Sequence, residues 1–310
     1  MSATKNLITG GSGFLGSNLC RRLLKDGEKV ICLDNFSTGS KDNIDDIIAN
    51  KNFQIINQDI INPIDINVDK IWHLACPASP KHYQFNPIKT AQTSFVGTYN
   101  VLELAKKIDA KFLLASSSEI YGDPEVHPQK ETYNGSVDTT SIRSCYEEGK
   151  RIAETLTTDY GRKFNLDIKI MRIFNTYGPF MRYDDGRVIS NFIVQALQNK
   201  NLTIYGDGKQ TRSFCYVDDL IRGMILLMKS SYKKPINIGN PREISIIKLA
   251  NLIRDLTNTT IKFEKSILPE SDPKRRNPSI DLARNILGWE PEINLENGVK
   301  NTISWFKKIL

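Results

Sequence analysis

The chain has 310 residues, of which 40% are hydrophobic and 25% charged, a composition ordinary for a soluble globular protein with room for two lobes. Its formal net charge of +7 is spread along the sequence and not gathered into a basic tail, which argues against a nucleic-acid-binding protein. Neither a run of about 20 apolar residues nor a basic-then-apolar leader is found, so we predict a cytoplasmic protein without a membrane span.

Short apolar segments alternate with amphipathic stretches through the first half of the chain. Nearly continuous apolar runs are typical of strands that are covered on both faces. Their alternation with helices predicts an α/β protein with a Rossmann-type, doubly wound parallel sheet. The predicted strands are residues 6–9, 29–33, 53–56, 71–74, 111–115 and 167–173, and the predicted helices are residues 15–25, 90–107 and 146–163.

The pattern changes after about residue 175, where segments rich in Gly, Pro and Asp indicate loops at 176–186 and 206–210. Further elements are predicted beyond them, namely helices at 189–198, 218–229, 244–256 and 295–307 and a strand at 235–238.

This change of pattern predicts two domains. The first consists of residues 1–175, to which residues 214–238 return. The second is a smaller C-terminal α/β lobe formed by residues 176–213 and 239–310.

Cysteine and histidine usage gives no sign of a disulfide framework or a metal site, and we predict none. The cysteines lack a Cys-x-x-Cys motif, and the three histidines share no ligand spacing, so structural roles are expected for them. The cysteines are Cys20, Cys32, Cys76, Cys145 and Cys215, and the histidines are His73, His82 and His127.

The densest basic cluster is Lys274-Arg275-Arg276, which is either a solvated loop or a means of binding a nucleotide diphosphate.

A glycine-rich turn follows the first predicted strand and leads into the first predicted helix. Gly10, Gly13 and Gly16 allow a tight turn, close approach of the backbone to a pyrophosphate, and close packing of helix on strand. The free N–H groups at the helix N-terminus favour binding of the phosphates of a dinucleotide. Asp34 ends the second predicted strand, where a carboxylate would bind the adenosine ribose hydroxyls and repel a 2′-phosphate. The turn therefore predicts a dinucleotide site that prefers NAD to NADP. It makes residues 1–175 the NAD-binding domain and leaves the smaller lobe for the substrate.

Tyr146 and Lys150 are four residues apart, which on a helix places them on one face. A nearby ammonium group favours the phenolate, so we expect Lys150 to lower the pKa of Tyr146 and make it a usable base. Such a pair also arises by chance on helix surfaces. The serines at 116–118, after the predicted strand 111–115, add hydroxyl groups at the sheet edge where ligands bind in this fold, although serines there are often only helix caps.

Together these motifs resemble the extended short-chain dehydrogenases/reductases that act on nucleotide sugars, and within them the UDP-glucuronate decarboxylase (UDP-xylose synthase) subfamily. Among the similar stretches are His-Leu-Ala-Cys-Pro-Ala-Ser-Pro at 73–80 and Tyr-Gly-Asp-Gly-Lys-Gln-Thr-Arg at 205–212. The resemblance covers nearly the whole chain, with further similar stretches at 8–11, 118–128, 143–151, 172–179, 185–188 and 276–280.

The resemblance implies NAD-dependent decarboxylation of UDP-glucuronate to UDP-xylose, with hydride removed from C4 and later returned. Tyr146 would take the proton of the 4-hydroxyl and Lys150 would hold the nicotinamide ribose. Ser117 stands where the family usually has threonine, and its hydroxyl would bond the same sugar oxygen. Glu119 would place the carboxylate or a water molecule, and Arg276 would bind the carboxylate and assist protonation at C5.

The same resemblance implies two sets of binding residues and a homodimer paired through a four-helix bundle, roughly residues 90–107 and 146–163 of each subunit. For NAD we assign Gly10, Gly13, Phe14, Leu15, Gly16, Asp34, Asn35, Ser37, Thr38, Gly39, Asp59, Ile60, Leu74, Ala75, Thr93, Tyr146 and Lys150. For the UDP-sugar we assign Tyr83, Asn175, Arg187, Tyr205, Gln210, Arg212 and Arg276.

Some positions depart from the family pattern and leave alternatives open. Phe180 stands where a basic residue is common, Asn134 where an aromatic is common, and residues 139–141 replace a Pro-Ile-Gly-like stretch. A 4-epimerase or a 4,6-dehydratase of the same family is the first alternative. The second is a non-catalytic nucleotide-binding protein, against which the intact Ser117, Tyr146 and Lys150 argue.

Overall fold

The computed structural model describes residues 3–259, 262–266 and 276–310, so Lys274 and Arg275 of the basic cluster lie outside the described residues. The strands, in chain order, are β1 Lys5–Thr9, β2 Lys29–Asp34, β3 Phe53–Asn57, β4 Lys70–His73, β5 Lys111–Ser117, β6 Ile168–Ile173, β7 Thr176–Tyr177, β8 Leu202–Tyr205, β9 Thr211–Ser213, β10 Cys215–Tyr216, β11 Pro235–Ile238, β12 Glu243–Ser245 and β13 Phe263–Ser266.

The helices connect these strands, and most of them cover the two faces of a central sheet. They are α1 Phe14–Lys25, α2 Pro80–Phe85, α3 Pro87–Gln92, α4 Thr98–Ile108, α5 Ser144–Phe164, α6 Val188–Leu197, α7 Val217–Lys229, α8 Ile246–Thr257, α9 Asp281–Leu287 and α10 Leu295–Ile309.

Across the described residues, the central sheet has seven strands in the order β3-β2-β1-β4-β5-β6-β11, and every neighbouring pair is parallel. The predicted doubly wound α/β fold is therefore confirmed. The direction of winding reverses between β1 and β4, and in such sheets a ligand crevice opens at this reversal beyond the carboxyl ends of the strands.

Alternation along each strand explains why both faces of the sheet are buried. Ile8 packs into one core, which includes Leu19 of α1 and Met224 of α7. Its neighbour Leu7 points into a second core, together with Leu102 of α4. The apolar runs in the sequence thus supply two cores from the same strands.

The C-terminal part packs α6, α8 and α10 together beside the sheet. Short strand pairs join its loops, β7 with β10, β8 with β13 and β9 with β12. None of these six short strands was predicted, because two to four residues carry too little periodicity to identify an element. Helices α2 and α9 were not predicted either. By contrast β11, predicted at residues 235–238, pairs with β6 at the edge of the main sheet.

The predicted helix 90–107 is interrupted in the structure. Residues Thr93–Gly97 form a π-helical segment between α3 and α4, and Thr93 lines the cleft that opens beyond the carboxyl ends of the central strands. Single π-turns of this kind are frequent at functional sites. Within the described residues, no helix combines the length and the apolar content needed to cross a bilayer.

Candidate active site

A cleft of about 710 Å³ lies beyond the carboxyl ends of the central strands, between the sheet and the C-terminal part. Its walls combine the ends of β1, β2, β4, β5 and β6 with the loops around α6, β8 and β9. Every residue predicted for catalysis, for NAD or for the UDP-sugar lines this one cleft. The tertiary structure therefore brings together groups that are up to 266 positions apart, from Gly10 to Arg276.

The glycine-rich turn at one end of the cleft has no space for a Cβ at Gly10 or Gly16. Gly10 has φ +72°, and a Cβ there would lie 2.8 Å from the Cα of Ala75. A Cβ on Gly16 would lie 2.1 Å from the carbonyl oxygen of Gly10. Helix α1 starts directly after Gly13, and no side chain caps its first N–H groups. These free donors and the bare backbone suit the pyrophosphate of a dinucleotide.

Asp34 closes the end of β2 beside this turn. Its Oδ2 accepts a hydrogen bond from the Ser12 backbone N at 2.9 Å, and its Oδ1 accepts one from the Phe36 N at 2.9 Å. These two bonds fix the carboxylate, and each oxygen keeps acceptor capacity for a ribose hydroxyl. The geometry therefore fits the predicted NAD site.

Further along the cleft wall, Asp59 is held by two side chains and by the Ile61 backbone N, which donates to its Oδ1 at 3.1 Å. Asn35 Nδ2 donates to its Oδ2 at 2.9 Å, and Lys89 Nζ lies 2.6 Å from the same oxygen. Burial acts in the opposite direction, but these hydrogen bonds, led by that from Lys89, keep the pKa of Asp59 below its usual value. Lys89 was not predicted, and its only sequence signal is its position one helical turn before Thr93.

Tyr146 and Lys150 lie one turn apart on α5, and both are buried. Lys150 Nζ donates to the Ala115 carbonyl at 2.8 Å and lies 5.7 Å from the centre of the Tyr146 ring. The pKa of Tyr146 is nevertheless raised, because burial outweighs the opposing hydrogen bond with Ser117. The expectation of a lowered pKa is wrong for the protein by itself, since desolvation of the phenol is the larger effect.

Ser117 ends β5 and has a structural role as well. Its Oγ accepts a hydrogen bond from the Glu119 backbone N at 3.2 Å and so caps the short helical turn Ser118–Tyr121. This cap fixes the backbone of the turn that carries Glu119. The hydroxyl hydrogen remains available for Tyr146 or for a sugar oxygen.

Tyr83 covers the Tyr146 ring from α2. The two rings are stacked, with centroids 5.0 Å apart and planes 7° from parallel. Tyr83 is only 1% exposed, and its buried hydroxyl has no hydrogen-bond partner in the described part of the chain. A buried hydroxyl of this kind at a cleft wall is suited to a polar ligand group.

Glu119 lies between two arginines. Its Oε1 pairs with Arg276 and its Oε2 pairs with Arg143, whose Nε also contacts Glu147 Oε1 at 3.0 Å. Burial lowers the pKa of Arg276 to about 10, so the guanidinium stays charged at neutral pH. No role was predicted for Arg143. The available signal was its i,i+4 spacing from Glu147 at the start of the Tyr146 helix.

The residues predicted for UDP extend along the C-terminal wall of the cleft. Arg187 precedes α6 and donates to the Ala78 carbonyl at 2.9 Å, while Gln210 donates to the Tyr205 carbonyl at 2.8 Å. The remaining ones are Asn175, which follows β6, and Arg212 in β9. Their side chains combine cations for phosphates with an aromatic ring and amides for a nucleoside.

Two departures from the family pattern lie away from the cleft lining. The Arg21 guanidinium stacks 3.7 Å from the centre of the Phe180 ring, which also contacts Trp305 with centroids 5.6 Å apart. Phe180 therefore packs between α1 and α10. The Asn134 carbonyl accepts a hydrogen bond from Arg151 at 2.7 Å, which ties its loop to α5.

The histidines have partners within the fold. His73 hydrogen-bonds to Thr9 at 2.8 Å and to Thr98 at 3.0 Å, and burial lowers its pKa to about 3. His82 contacts Ser79 and His127 contacts Glu243. No group of three or more His, Cys, Asp or Glu side chains in the described residues is arranged to hold a metal ion.

Comparison with known proteins gives a consistent result. Residues 6–239 match the NAD dependent epimerase/dehydratase family. The chain is 51% identical over 302 residues to UDP-glucuronic acid decarboxylase 4 of Arabidopsis thaliana, covering 97% of this chain and 68% of that protein. It is 50% identical over 304 residues to UDP-glucuronic acid decarboxylase 1 of Xenopus tropicalis, covering 98% and 72%.

Among solved structures, the chain resembles UDP-glucuronic acid 4-epimerase from Bacillus cereus in complex with UDP-glucuronic acid and NAD. The TM-score is 0.89 and the identity 30%, with 99% of this chain and 100% of that chain covered.

Proposed function

The chain belongs to the NAD-dependent epimerase/dehydratase family, and we propose that it is a carboxy-lyase that converts UDP-glucuronate to UDP-xylose. The observation that carries this function is the position of Glu119 and the buried Arg276 in the same cleft as Tyr146, Lys150 and Ser117. One cleft thus offers a base for a sugar hydroxyl and a cation for a sugar carboxylate.

The cofactor is NAD, in keeping with the family and with the fit of the glycine-rich turn and Asp34. When bound, NAD would supply the hydride acceptor for oxidation at C4 of the sugar and the hydride donor for the later reduction. The positive charge of the oxidised cofactor in this cleft would act against the burial that raises the pKa of the Tyr146 phenol.

Tyr146 accepts the proton of the sugar 4-hydroxyl during oxidation at C4. Ser117 hydrogen-bonds the same sugar oxygen. Lys150 is fixed by its bond to the Ala115 carbonyl, which leaves its other two donor hydrogens for the nicotinamide ribose. Its positive charge also favours the phenolate form of Tyr146.

Arg276 binds the sugar carboxylate. Once C4 is a ketone, the C5–carboxylate bond breaks, its electron pair moves into an enolate between C5 and C4, and CO2 leaves. A proton is then added to C5, and we assign its delivery to a water molecule held by Glu119 and Arg276. The Arg276 charge is available throughout, because its pKa of about 10 lies well above neutral pH.

The test is to incubate the purified protein with UDP-glucuronate and NAD and to measure CO2 and UDP-xylose together. Both products are expected in equal amounts. Conversion of UDP-glucuronate to its C4 epimer without CO2 would instead identify a 4-epimerase, the activity named for the Bacillus cereus structure. Turnover of UDP-glucose or a dTDP-sugar without CO2 would indicate a dehydratase, and absence of any turnover a non-catalytic protein.

A homodimer is the second part of the proposal. Large apolar side chains are exposed on the helical layer formed by α5 together with α3, the π-helical segment Thr93–Gly97 and α4, all of which pack against it. The exposed apolar side chains are Ile88, Phe95, Tyr99, Ile152 and Phe164. Two copies of this surface would bury them in a four-helix bundle.

The dimer is tested by light scattering of the wild type and of two matched variants. Ile152→Glu places a charge on the proposed bundle surface and is expected to give a monomeric mass. Ile48→Glu changes an exposed isoleucine between β2 and β3, outside the proposed bundle helices, and should leave the dimer intact. A monomeric wild type would contradict the proposal.

The cytoplasmic location also stays a proposal. All five cysteines are free thiols in the structure, which is typical of a reducing compartment.

A further inference from the structure

A row of alternating charges enters the cleft from the start of α5. It runs from Glu147 through Arg143 and Glu119 to Arg276, and each neighbour in the row forms an ion pair. Glu147 and Arg276 are buried, and the Arg143 and Glu119 side chains are only 12% and 16% exposed. At this degree of burial, an unpaired charge would carry a large desolvation free energy.

The substrate carboxylate changes the balance of this row. Arg276 already pairs with Glu119, so a sugar carboxylate that binds Arg276 brings a third anion to two cations. If Glu119 had no other cation, its charge would repel the carboxylate or be lost by protonation. Arg143 meets this need because it contacts the other oxygen of Glu119.

Arg143 is also held in place independently of Glu119. Its Nε is fixed by Glu147, and its backbone N donates to Ser141 Oγ at 3.2 Å. Its carbonyl accepts from the Tyr146 N at 3.0 Å, so the arginine belongs to the same helical turn as the proposed base. A guanidinium fixed in this way can keep Glu119 in position while Arg276 exchanges partners.

We propose that Arg143 is a positioning residue that retains Glu119 as a carboxylate when Arg276 leaves it to bind the sugar carboxylate. Arg143 thereby makes Arg276 available for the substrate. It also keeps Glu119 in place for the protonation step at C5. The inference rests on the proposed function, since it requires a substrate with a carboxylate.

Single-turnover measurements test this role by separating two steps. With UDP-glucuronate and NAD, the absorbance of reduced nicotinamide reports oxidation at C4, and CO2 release reports the step that follows. Arg143→Met is expected to slow CO2 release by roughly 30-fold or more, the usual effect of removing one partner of a buried charge pair. Oxidation should change much less, so reduced nicotinamide accumulates, and NAD affinity stays near that of the wild type.

Two further variants support the test if Arg143→Met folds poorly. Arg143→Lys keeps the charge but loses the two-sided contact, so it should show the same split between steps with a smaller loss. Glu147→Gln releases Arg143 without changing a residue that lines the cleft and should act in the same direction. The matched control is Arg162→Met, which removes an exposed arginine from the other end of α5 and should change neither step.

The outcomes separate the two hypotheses. A wild type that turns over, with Arg143 variants that slow oxidation and CO2 release equally or change neither, would overturn the role of Arg143 alone. A wild type that releases no CO2 from UDP-glucuronate would overturn the proposed function, and the inference with it. A selective loss of CO2 release in the Met and Lys variants supports both.

Discussion

The cofactor end and the carboxylate end of the cleft are built in different ways. The cofactor end is local: β1, the glycine-rich turn and the first turn of α1 follow one another between Lys5 and Gly16. The carboxylate end draws Glu119, Arg143 and Arg276 from three distant segments and holds them by ion pairs. The first is fixed by backbone shape and the second by charge balance.

We therefore expect a substitution at one end of the cleft to leave ligand binding at the other end unchanged. Backbone crowding at the glycines affects NAD binding first and chemistry only as a consequence. Loss of a charge at the other end leaves the NAD site intact and impairs the handling of the carboxylate. The following variants test that separation, from the largest expected effect to the smallest.

Tyr146→Phe should have the largest effect, because Tyr146 serves both ends of the cleft. Removing a general base typically costs about 10²- to 10⁴-fold in rate. NAD affinity should stay near normal, since the ring that stacks on Tyr83 is kept. The measurements are turnover of UDP-glucuronate and NAD titration. Tyr232→Phe, away from the cleft, is the control, and retained turnover of the Tyr146 variant would remove that residue from its role.

Arg276→Met should reduce turnover of UDP-glucuronate by roughly 30-fold or more, because the sugar carboxylate loses its cation. Binding of UDP-xylose, which has no carboxylate, should change little, and so should binding of NAD. Calorimetry with the substrate and the product measures this contrast. Equal loss of affinity for both sugars would mean that Arg276 mainly supports the fold.

Gly16→Ala should act at the opposite end. Its Cβ would lie 2.1 Å from the Gly10 carbonyl oxygen, so the turn must shift, at a cost of about 1–3 kcal/mol in stability and with weaker NAD binding. Gly27→Ala is the control: it carries backbone strain at φ +80°, but its Cβ meets no atom of the described residues within 4 Å. Thermal unfolding and NAD titration distinguish the two, and equal NAD affinity in both variants would contradict the prediction.

Gln129→Leu should have the smallest effect, since it acts on Arg276 through the backbone. The Gln129 side chain accepts from the Asn277 N at 2.8 Å through Oε1 and donates to the Val126 carbonyl at 2.7 Å through Nε2, and its backbone N donates to the Asn277 carbonyl at 2.9 Å. Losing the two side-chain bonds should cost about 1–3 kcal/mol of stability and lower turnover without changing NAD affinity. Gln129→Glu keeps the acceptor but buries a carboxylate against the Val126 carbonyl, so it is expected to lose more stability than Gln129→Leu. An NAD site weakened by either variant would argue against independent ends.

Much of the cofactor end was predictable because its information is local. The spacing of Gly10, Gly13 and Gly16 after an apolar strand reports one backbone shape, and Asp34 follows at the end of the next strand. The main strands were predicted to within a residue or two, because buried parallel strands give long apolar runs. Strands such as β7 and β10 were not, because two residues have no periodicity.

The carboxylate end was less accessible to sequence reasoning. The roles of Glu119 and Arg276 were assigned from family resemblance, because neither residue has a local sequence pattern that links it to the other. No role was predicted for Arg143, the second partner of Glu119, and the predicted lowering of the Tyr146 pKa was wrong. Both follow from charge pairing and burial, which depend on neighbours that are distant in sequence.

The sequence by itself determined the doubly wound sheet, the glycine-rich turn and the spacing of Tyr146 and Lys150, since each follows from the shape and periodicity of a few consecutive residues. Only the tertiary structure decided that Glu119 is shared by Arg143 and Arg276. The physical reason is that electrostatic pairing depends on distance through space and on burial, and both are set by how α5 and the segment at 276–280 pack against the end of β5.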